Sequence, residues 1–273
     1  LPYLEPDTTQ ADCDLLVLGA GSGGIAAAVR AARLGARVIV VDDGPIGGTC
    51  VNVGCVPKKV MWEAARLQAS MARARAFGFD LPAHPALDWP ALVAARDAYI
   101  ARSQASYRAH FDKAGVEWIQ ARGRLLGNDA VALSDGRSLV ARHLLLATGA
   151  RPALPQINGA QWLHSSDDFF TWSALPQRVA IVGGGYIGVE LAGLLQALGS
   201  QVHLLVRGAS LLHGFDAELV AELQAQMRAQ GISIHTGAKL QGLGGGPGAL
   251  LLHGEGDLPG GSFDVVIAAT GRQ

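Results

Sequence analysis

Cys50 and Cys55 are the side chains of this 273-residue chain best placed to do chemistry. They stand in the run Gly47-Gly48-Thr49-Cys50-Val51-Asn52-Val53-Gly54-Cys55-Val56-Pro57-Lys58-Lys59. Such a thiol pair can cycle between dithiol and disulfide, or it can hold a metal. Residues five apart in a regular helix have Cα atoms roughly 8–9 Å apart, whereas a disulfide needs less than about 7 Å. A Cys50–Cys55 bond therefore requires a distorted first turn, which Gly54 can supply at low steric cost. Past Pro57 the helix can run normally. Zinc would need further Cys or His ligands at suitable spacing, and none accompanies the pair. Two structural cysteines that happen to be neighbours remain the plain alternative.

The elements that must position the pair are legible as a repeat. Leu15 to Asp42 reads LLVLGAGSGGIAAAVRAARLGARVIVVD, and Val179 to Arg207 reads VAIVGGGYIGVELAGLLQALGSQVHLLVR. Each has an apolar run, a glycine cluster, an amphipathic stretch and a second β-branched run. Each is echoed later by a strand ending in Ala-Thr-Gly, at His143 to Pro152 and at Val265 to Arg272. In the first copy Gly19, Gly21 and Gly24 fit the dinucleotide fingerprint, with Ser22 inside it. Its glycines serve a tight turn, close approach of a pyrophosphate, and helix–strand packing. Asp42 closes the next strand, where a carboxylate accepts hydrogen bonds from ribose hydroxyls; Asp43 competes for that role. In the second copy Gly183, Gly185 and Gly188 repeat the pattern. Its strand ends in Arg207, and a guanidinium there suits a 2′-phosphate, so NADPH is expected over NADH. His213 and Gly208 offer no second arginine nearby. Glu190 falls inside an apolar helix, where a carboxylate is costly unless paired. It is either paired, with Lys58 a candidate, or solvated on an outer face.

The expected fold class is α/β, with two Rossmann-like FAD/NAD(P)-binding domains, each three-layered about a parallel central sheet, and a small antiparallel β insertion. The bounds are 12–151 for an FAD-binding domain with the redox pair and 152–273 for an NAD(P)H-binding domain. Helices are expected from about Cys50 to Ala76 and over Trp89 to Lys113, with a break at Pro82 to Pro90. Val116 to Val140 reads as a small antiparallel sheet or hairpin, and Arg151 to Pro155 as the connector. Leu243 to Gly248 and Gly254 to Gly261 read as turns.

GGTCVNVGCVPKKVMW resembles the active-site segment of the pyridine nucleotide–disulfide oxidoreductases, and within that family its CVPKKVMW is most similar to glutathione reductases. Ser165 to Phe170, both Ala-Thr-Gly turns and Gly185-Tyr186-Ile187-Gly188-Val189-Glu190 fall in the family's order. The resemblance implies that FAD lies on the first fingerprint, with Gly48, Thr49, Thr148 and Gly149 contributing. NADPH would lie on the second, with Tyr186 as a lid over the nicotinamide and Gly271 nearby. It implies that Cys55 lies against the flavin and that Cys50 is the outer thiol attacking a substrate disulfide. Lys58 would pair with Glu190 near the flavin, Lys59 being the competing choice. Ser22 and Tyr107 match positions that touch glutathione, while Val29 departs from an arginine found in some relatives. Glutathione disulfide is the favoured substrate; mercuric reductase, dihydrolipoamide dehydrogenase and a non-catalytic flavoprotein are the alternatives. The resemblance also implies a later FAD-binding segment and a homodimerisation domain, expected to be absent from a chain that stops at Gln273, so none of the eight histidines is assigned as acid–base.

The totals bound the rest. Apolar residues are 49% and charged residues 16%, with 36 glycines and a net charge of −1. That balance offers no general field for nucleic acid or an anionic membrane. No apolar run reaches the roughly eighteen residues of a membrane span. The polar, Pro-containing start, Leu1 to Ala11, lacks a signal-peptide layout. Three cysteines are too few for a secreted disulfide scaffold, and a cytoplasmic location is expected.

Overall fold

The computed structural model describes residues 11–81 and 86–273; the readings of the first ten residues and of 82–85 within the Pro-rich break lie outside them. Two compact units result, one reaching to Lys58 and resuming over Asp97–Gly149, the other formed by Lys59–Arg96 and Ala150–Gln273. Among the described residues no helix is long and apolar enough to cross a membrane.

The first unit is built from β1 (Cys13–Leu18), α1 (Ser22–Arg33), β2 (Val38–Asp42), α2 (Gly48–Asn52), the start of α3 (Cys55–Ala74), most of α4 (Trp89–Ala114), β3 (Val116–Gln120), β4 (Gly123–Leu125), β5 (Ala130–Leu133) and β6 (Ser138–Leu146). Its sheet has the order β3-β2-β1-β6-β5-β4. The apolar runs are continuous because both faces of the sheet are covered. Leu16, Leu18, Ile39 and Val41 pack on one face with Val131, Leu133 and Leu139 of the antiparallel strands. Val17, Val38 and Val40 pack on the other with Ile25 and Ala28 of α1 and Phe111 of α4. Strand periodicity of two thus sorts one run into two cores.

In the first unit two local expectations need correcting. Val116–Gln120 is not part of the antiparallel piece. It pairs parallel to β2 as the sheet edge, since its buried Val116 and Ile119 fill the two cores that β2 already lines. The antiparallel strands are also continuous with the main sheet, because β6 pairs with β5 over its first residues and parallel with β1 beyond them.

The second unit contains β7 (Leu163–Ser165), β8 (Arg178–Val182), α5 (Tyr186–Leu198), β9 (Gln201–Val206), α6 (Ala217–Ala229), β10 (Ser233–Thr236), β11 (Lys239–Gly246), β12 (Ala249–Glu255) and β13 (Val265–Ala268). Its parallel sheet runs β10-β9-β8-β13-β7, with β11 and β12 a separate antiparallel pair. Leu243 to Gly246 and Gly254 are therefore strand and not turn. Pairing between β11 and β12 satisfies their backbone groups, and only Pro247–Gly248 makes the reversal. Leu243 and Leu250 of this hairpin cover one face of the sheet. Arg151 to Pro155 is likewise more than a connector: Arg151 exchanges backbone hydrogen bonds with Gln273, and the Ala153 N–H donates to Gly271 O.

A polar chain crosses the edge of this unit. Arg178 donates to the carbonyls of Ser262 and Gly260, at 2.8 Å each, and its guanidinium lies 4.2 Å from the Phe263 ring centroid. Its Nη2 also meets His203 Nε2 at 3.4 Å. His203 Nδ1 meets His235 Nε2 at 3.1 Å, and His235 Nδ1 meets Asp257 Oδ2 at 3.0 Å. Arginine has only donors, so His203 accepts at Nε2 and donates from Nδ1; His235 then accepts from His203 and donates to Asp257. The order holds only while both imidazoles are neutral. Burial first, then Arg178 and His235, push His203 down to about 4. A histidine depressed in the folded state stays neutral while the unfolded chain takes up a proton, so stability is retained above about pH 6.5 and lost as pH falls toward 4. We expect this group to contribute about 3 kcal/mol of acid destabilisation over that window. In urea titrations of wild type and His203→Gln, the variant should show the shallower loss between pH 6.5 and 4; equal slopes would remove the histidine from the account.

Candidate active site

The glycine turn of the first unit explains why its residue types are fixed. A Cβ on Gly19 would lie 2.2 Å from the carbonyl oxygen of Ala147, and one on Gly24 would lie 1.9 Å from Gly19 O. The second unit repeats this contact for contact: Gly183 would strike Ala269 O at 2.2 Å, and Gly188 would strike Gly183 O at 2.1 Å. The Ala-Thr-Gly echo therefore has a structural cause, because each such turn passes over the first glycine of its own fingerprint. The middle glycines differ from these. A Cβ on Gly185 would meet nothing within 4 Å, and one on Gly21 only the Cα of Gly48 at 3.9 Å. Gly21 and Gly185 are the N-caps of α1 and α5, and no side chain caps either helix. Open space over a glycine at an uncapped helix N-terminus is what a dinucleotide pyrophosphate requires, so the residues of both turns fit such a ligand.

Asp42 already has a task in its turn. Its carboxylate accepts from the Ala20 N–H and, at 2.7 Å, from the Gly44 N–H. Remaining lone pairs leave it able to accept a ribose hydroxyl as well. Asp43 is exposed, as are Thr148, Gly149 and Ser22. In the second unit Arg207 follows β9 directly and is exposed, with no carboxylate paired to it among the described residues. Tyr186, the first residue of α5, is 61% exposed. Gly271 and His213 are exposed too.

The cysteine pair sits on the short α2 and at the start of the long α3, with α2 backed against the first turn. Gly47 and Gly48 have φ of 100° and 58°, and the Gly47 N–H donates to Ala20 O at 2.8 Å. The approach of Gly48 to Gly21 is so close that a Cβ on Gly48 would lie 2.7 Å from Gly21 Cα. Asn52 holds this loop, its Nδ2 donating to Gly48 O at 2.8 Å and to Ile46 O at 3.2 Å. Its Oδ1 in turn accepts from Gln104 Nε2 of α4 at 2.6 Å. Neither residue stood out as functional in the sequence; Asn52 lies inside the cysteine motif, but Gln104 carried no signal at all.

The distorted turn expected between the cysteines is present. α2 ends at Asn52, Val53 leaves helical geometry at φ −141°, ψ 37°, and α3 starts at Cys55. At Gly54 a Cβ would meet Thr49 O at 2.8 Å and Cys50 Cα at 3.3 Å. Close backbone approach therefore selects this glycine. Cys50 and Cys55 are free thiols, Cys50 partly buried and Cys55 exposed. Burial, then the neighbouring Cys55, push the Cys50 thiol up, while the Ser22 hydroxyl and the Cys55 backbone pull it down. Cys13 is wholly buried in β1 and its thiol is pushed up to about 11, chiefly by that burial. Lys58 is partly buried and Lys59 exposed; Glu190, in α5 of the second unit, is partly buried. A cavity of about 370 Å³ opens between α1 and α4 of the first unit, lined by Ser22, Val29, Arg30 and Arg33 of α1 and by Tyr107 and His110 of α4.

Known proteins resemble the chain over nearly its whole length. The family model for pyridine nucleotide-disulphide oxidoreductases matches residues 13–273. A glutathione reductase of Burkholderia cepacia is 41% identical over 262 residues, covering 96% of this chain and 58% of that protein. One of Yarrowia lipolytica is 40% identical over 237 residues, 82% of this chain and 50% of its own length. The structure of the HOCl-induced flavoprotein disulfide reductase RclA from Escherichia coli superposes with a TM-score of 0.82 at 22% identity, over 95% of this chain and 57% of that one, a likeness of fold. The chain thus spans between half and three-fifths of the length of these relatives.

Gly54→Ala should prise the two sulfurs apart. After mild oxidation we expect wild type to lose two titratable thiols as an intramolecular disulfide, and the variant to retain them in part, with stability lowered by about 1–3 kcal/mol. Mass spectrometry of the unreduced Cys50–Cys55 peptide is the measurement; full closure in the variant would show that the turn tolerates a Cβ.

Proposed function

The chain belongs to the pyridine nucleotide-disulphide oxidoreductase family, and from that premise we propose that it carries the two-nucleotide part of an FAD-dependent disulfide reductase with NADPH as donor and glutathione disulfide as favoured acceptor. The observation that carries this reading is the backing of the Cys50–Cys55 pair onto the first dinucleotide turn, backbone against backbone at Gly21 and Gly48. A thiol pair so near a pyrophosphate cradle is positioned for redox exchange with whatever ring the dinucleotide bears.

In this reading the first turn holds FAD through Gly19, Gly21, Gly24 and Asp42, with Gly48, Thr49, Thr148 and Gly149 completing the cradle. Bound FAD supplies the two-electron link between a reduced nicotinamide and sulfur. Gly183, Gly185, Gly188, Tyr186 and Gly271 receive NADPH, and Arg207 takes its 2′-phosphate. Cys55 is the sulfur on the flavin side, and Lys58, three residues along the same helix, provides charge there. Cys50 faces the substrate. As a thiolate it attacks one sulfur of the substrate disulfide, forming a mixed disulfide and releasing one thiolate. Cys55 then attacks Cys50, re-forming the Cys50–Cys55 bond and releasing the second thiolate. Two electrons leave the pair in each cycle. The cavity at Ser22, Tyr107, Arg30 and Arg33 supports a substrate with negative charge, since two guanidinium groups line it.

Two measurements test this reading. Supplied with FAD, the purified chain should emerge yellow from gel filtration, and anaerobic NADPH should then expose two additional thiols, none in Cys55→Ser; a colourless protein or no gain of thiols would overturn it. Arg207→Glu should reverse the nucleotide preference, moving the NADPH/NADH ratio of kcat/KM with a dye acceptor by about ten- to a hundredfold. An unmoved ratio would strip Arg207 of its role.

A further inference from the structure

We infer that Gln104 of α4 is a positioning residue for the Cys50–Cys55 pair: through its hydrogen bond to Asn52 it holds the segment between the two sulfurs in the shape from which a disulfide closes, and so sets the pair's thiol–disulfide balance. The inference rests on the reading of that pair as redox-active.

Asn52 is the last residue of α2 and stands between the cysteines, two residues after Cys50 and three before Cys55. Its Nδ2 faces three carbonyls, those of Gly48 at 2.8 Å, Ile46 at 3.2 Å and Pro45 at 3.3 Å. Three acceptors on one side decide which way the amide points, because Oδ1 among them would be repelled. Oδ1 therefore looks away from the loop and needs a donor there. Gln104 Nε2 is that donor, at 2.6 Å. Gln104 is fixed in turn by its helix. It shares a face of α4 with Tyr107 and Phe111, three and seven residues on. Phe111 is buried in the core formed with α1 and β2, and Tyr107 packs on the same cluster. Helix α4 is thereby pinned in place, and the next inward position along it carries an amide bonded to the loop. Helix segment and loop both belong to the first unit.

The chemistry gives this tie a consequence. Closing the pair joins Cys50 Sγ to Cys55 Sγ and removes two electrons and two protons; a disulfide oxidant takes them up and becomes two thiols. The balance depends on how often the reduced loop already holds its sulfurs in closing geometry, which is the effective concentration of one thiol at the other. Val53 and Gly54 give the segment its bend, and Asn52 anchors it just before that bend. Without the Gln104 donor, Asn52 Oδ1 is left partly buried and unsatisfied, or the amide turns and drops its carbonyls. Either way the segment between the sulfurs loosens. One turn beyond Gln104, Tyr107 and then His110 line the α1–α4 cavity. The helix that fixes the sulfur segment is thus also a wall of the space proposed for the substrate.

The test uses the full chain, equilibrated anaerobically at pH 7 in mixtures of reduced and oxidised glutathione. Samples are quenched in acid and alkylated, and peptide mass spectrometry reads the fraction of Cys50–Cys55 disulfide. In natively folded Gln104→Ala the equilibrium constant for closure should fall about three- to tenfold, the worth of one hydrogen bond. Gln104→Met keeps the length of the side chain but has no N–H, and its constant should fall as far. General loosening weakens oxidised and reduced protein alike and leaves the constant in place. A wild-type constant in Gln104→Met would assign the effect to packing and overturn the inference, as would an unchanged constant in Gln104→Ala. The two readings fail differently. A wild-type pair that closes, with an unmoved constant in both variants, costs only the role of Gln104. A wild-type pair that closes in no mixture removes the redox reading and this inference with it.

Discussion

Everything at the sulfur pair depends on one contact with no side chain in it, the approach of Gly48 to Gly21. Because no Cβ intervenes, the loop bearing Cys50 lies directly on the turn that opens α1. The left-handed backbone at Gly47 and Gly48 makes that approach possible. The Gly47 N–H bonded to Ala20 O, and Asn52 bonded to the loop carbonyls, keep it in register. Gln104 ties Asn52 to α4, so the pair is held from the turn side and from the helix side at once. A site needing sulfur near a nucleotide is here built from backbone, which gives it little freedom to drift.

The two units show how far one pattern can be reused. In each, a glycine takes the carbonyl of a later Ala-Thr-Gly turn onto its open Cα, and a second glycine lets the helix settle on the first. In each, an antiparallel piece covers one face of the sheet, β4 to β6 in one and β11 with β12 in the other. They part company at the end of the second strand. Asp42 is drawn into its own turn by two backbone N–H groups, while Arg207 stands exposed. The same scaffold thus presents opposite charge where two nucleotides would differ in chemistry.

Most of the architecture was legible because the repeat is written in local terms: glycine where a Cβ cannot fit, β-branched runs where both sheet faces are buried. The distorted turn between Cys50 and Cys55 was legible too, since helix geometry alone forbids their approach. What escaped was non-local. Val116–Gln120 reads like any short alternating strand, and only the cores that β2 leaves unfilled draw it to the parallel edge. The run at Leu243 to Gly246 looks like a turn by composition, yet it is a strand because β12 is there to satisfy its backbone. Asn52 and Gln104 act through a hydrogen bond between residues 52 apart, and no spacing rule reaches that far. Lys58 and Glu190 fall in different units, and each was identified by type and position alone.

The depth of Cys13 in the first sheet has a consequence for how the chain meets oxidants. Three thiols allow three pairings, and in the proposed reading only Cys50 with Cys55 is productive. Cys13 is sealed in β1 and its thiol resists ionisation, so it is a poor nucleophile and an inaccessible target for exchange. Both mispairings are thereby suppressed without removing a cysteine. The fold lets a third thiol serve as an ordinary apolar side chain, buried in the sheet apart from the two at the turn.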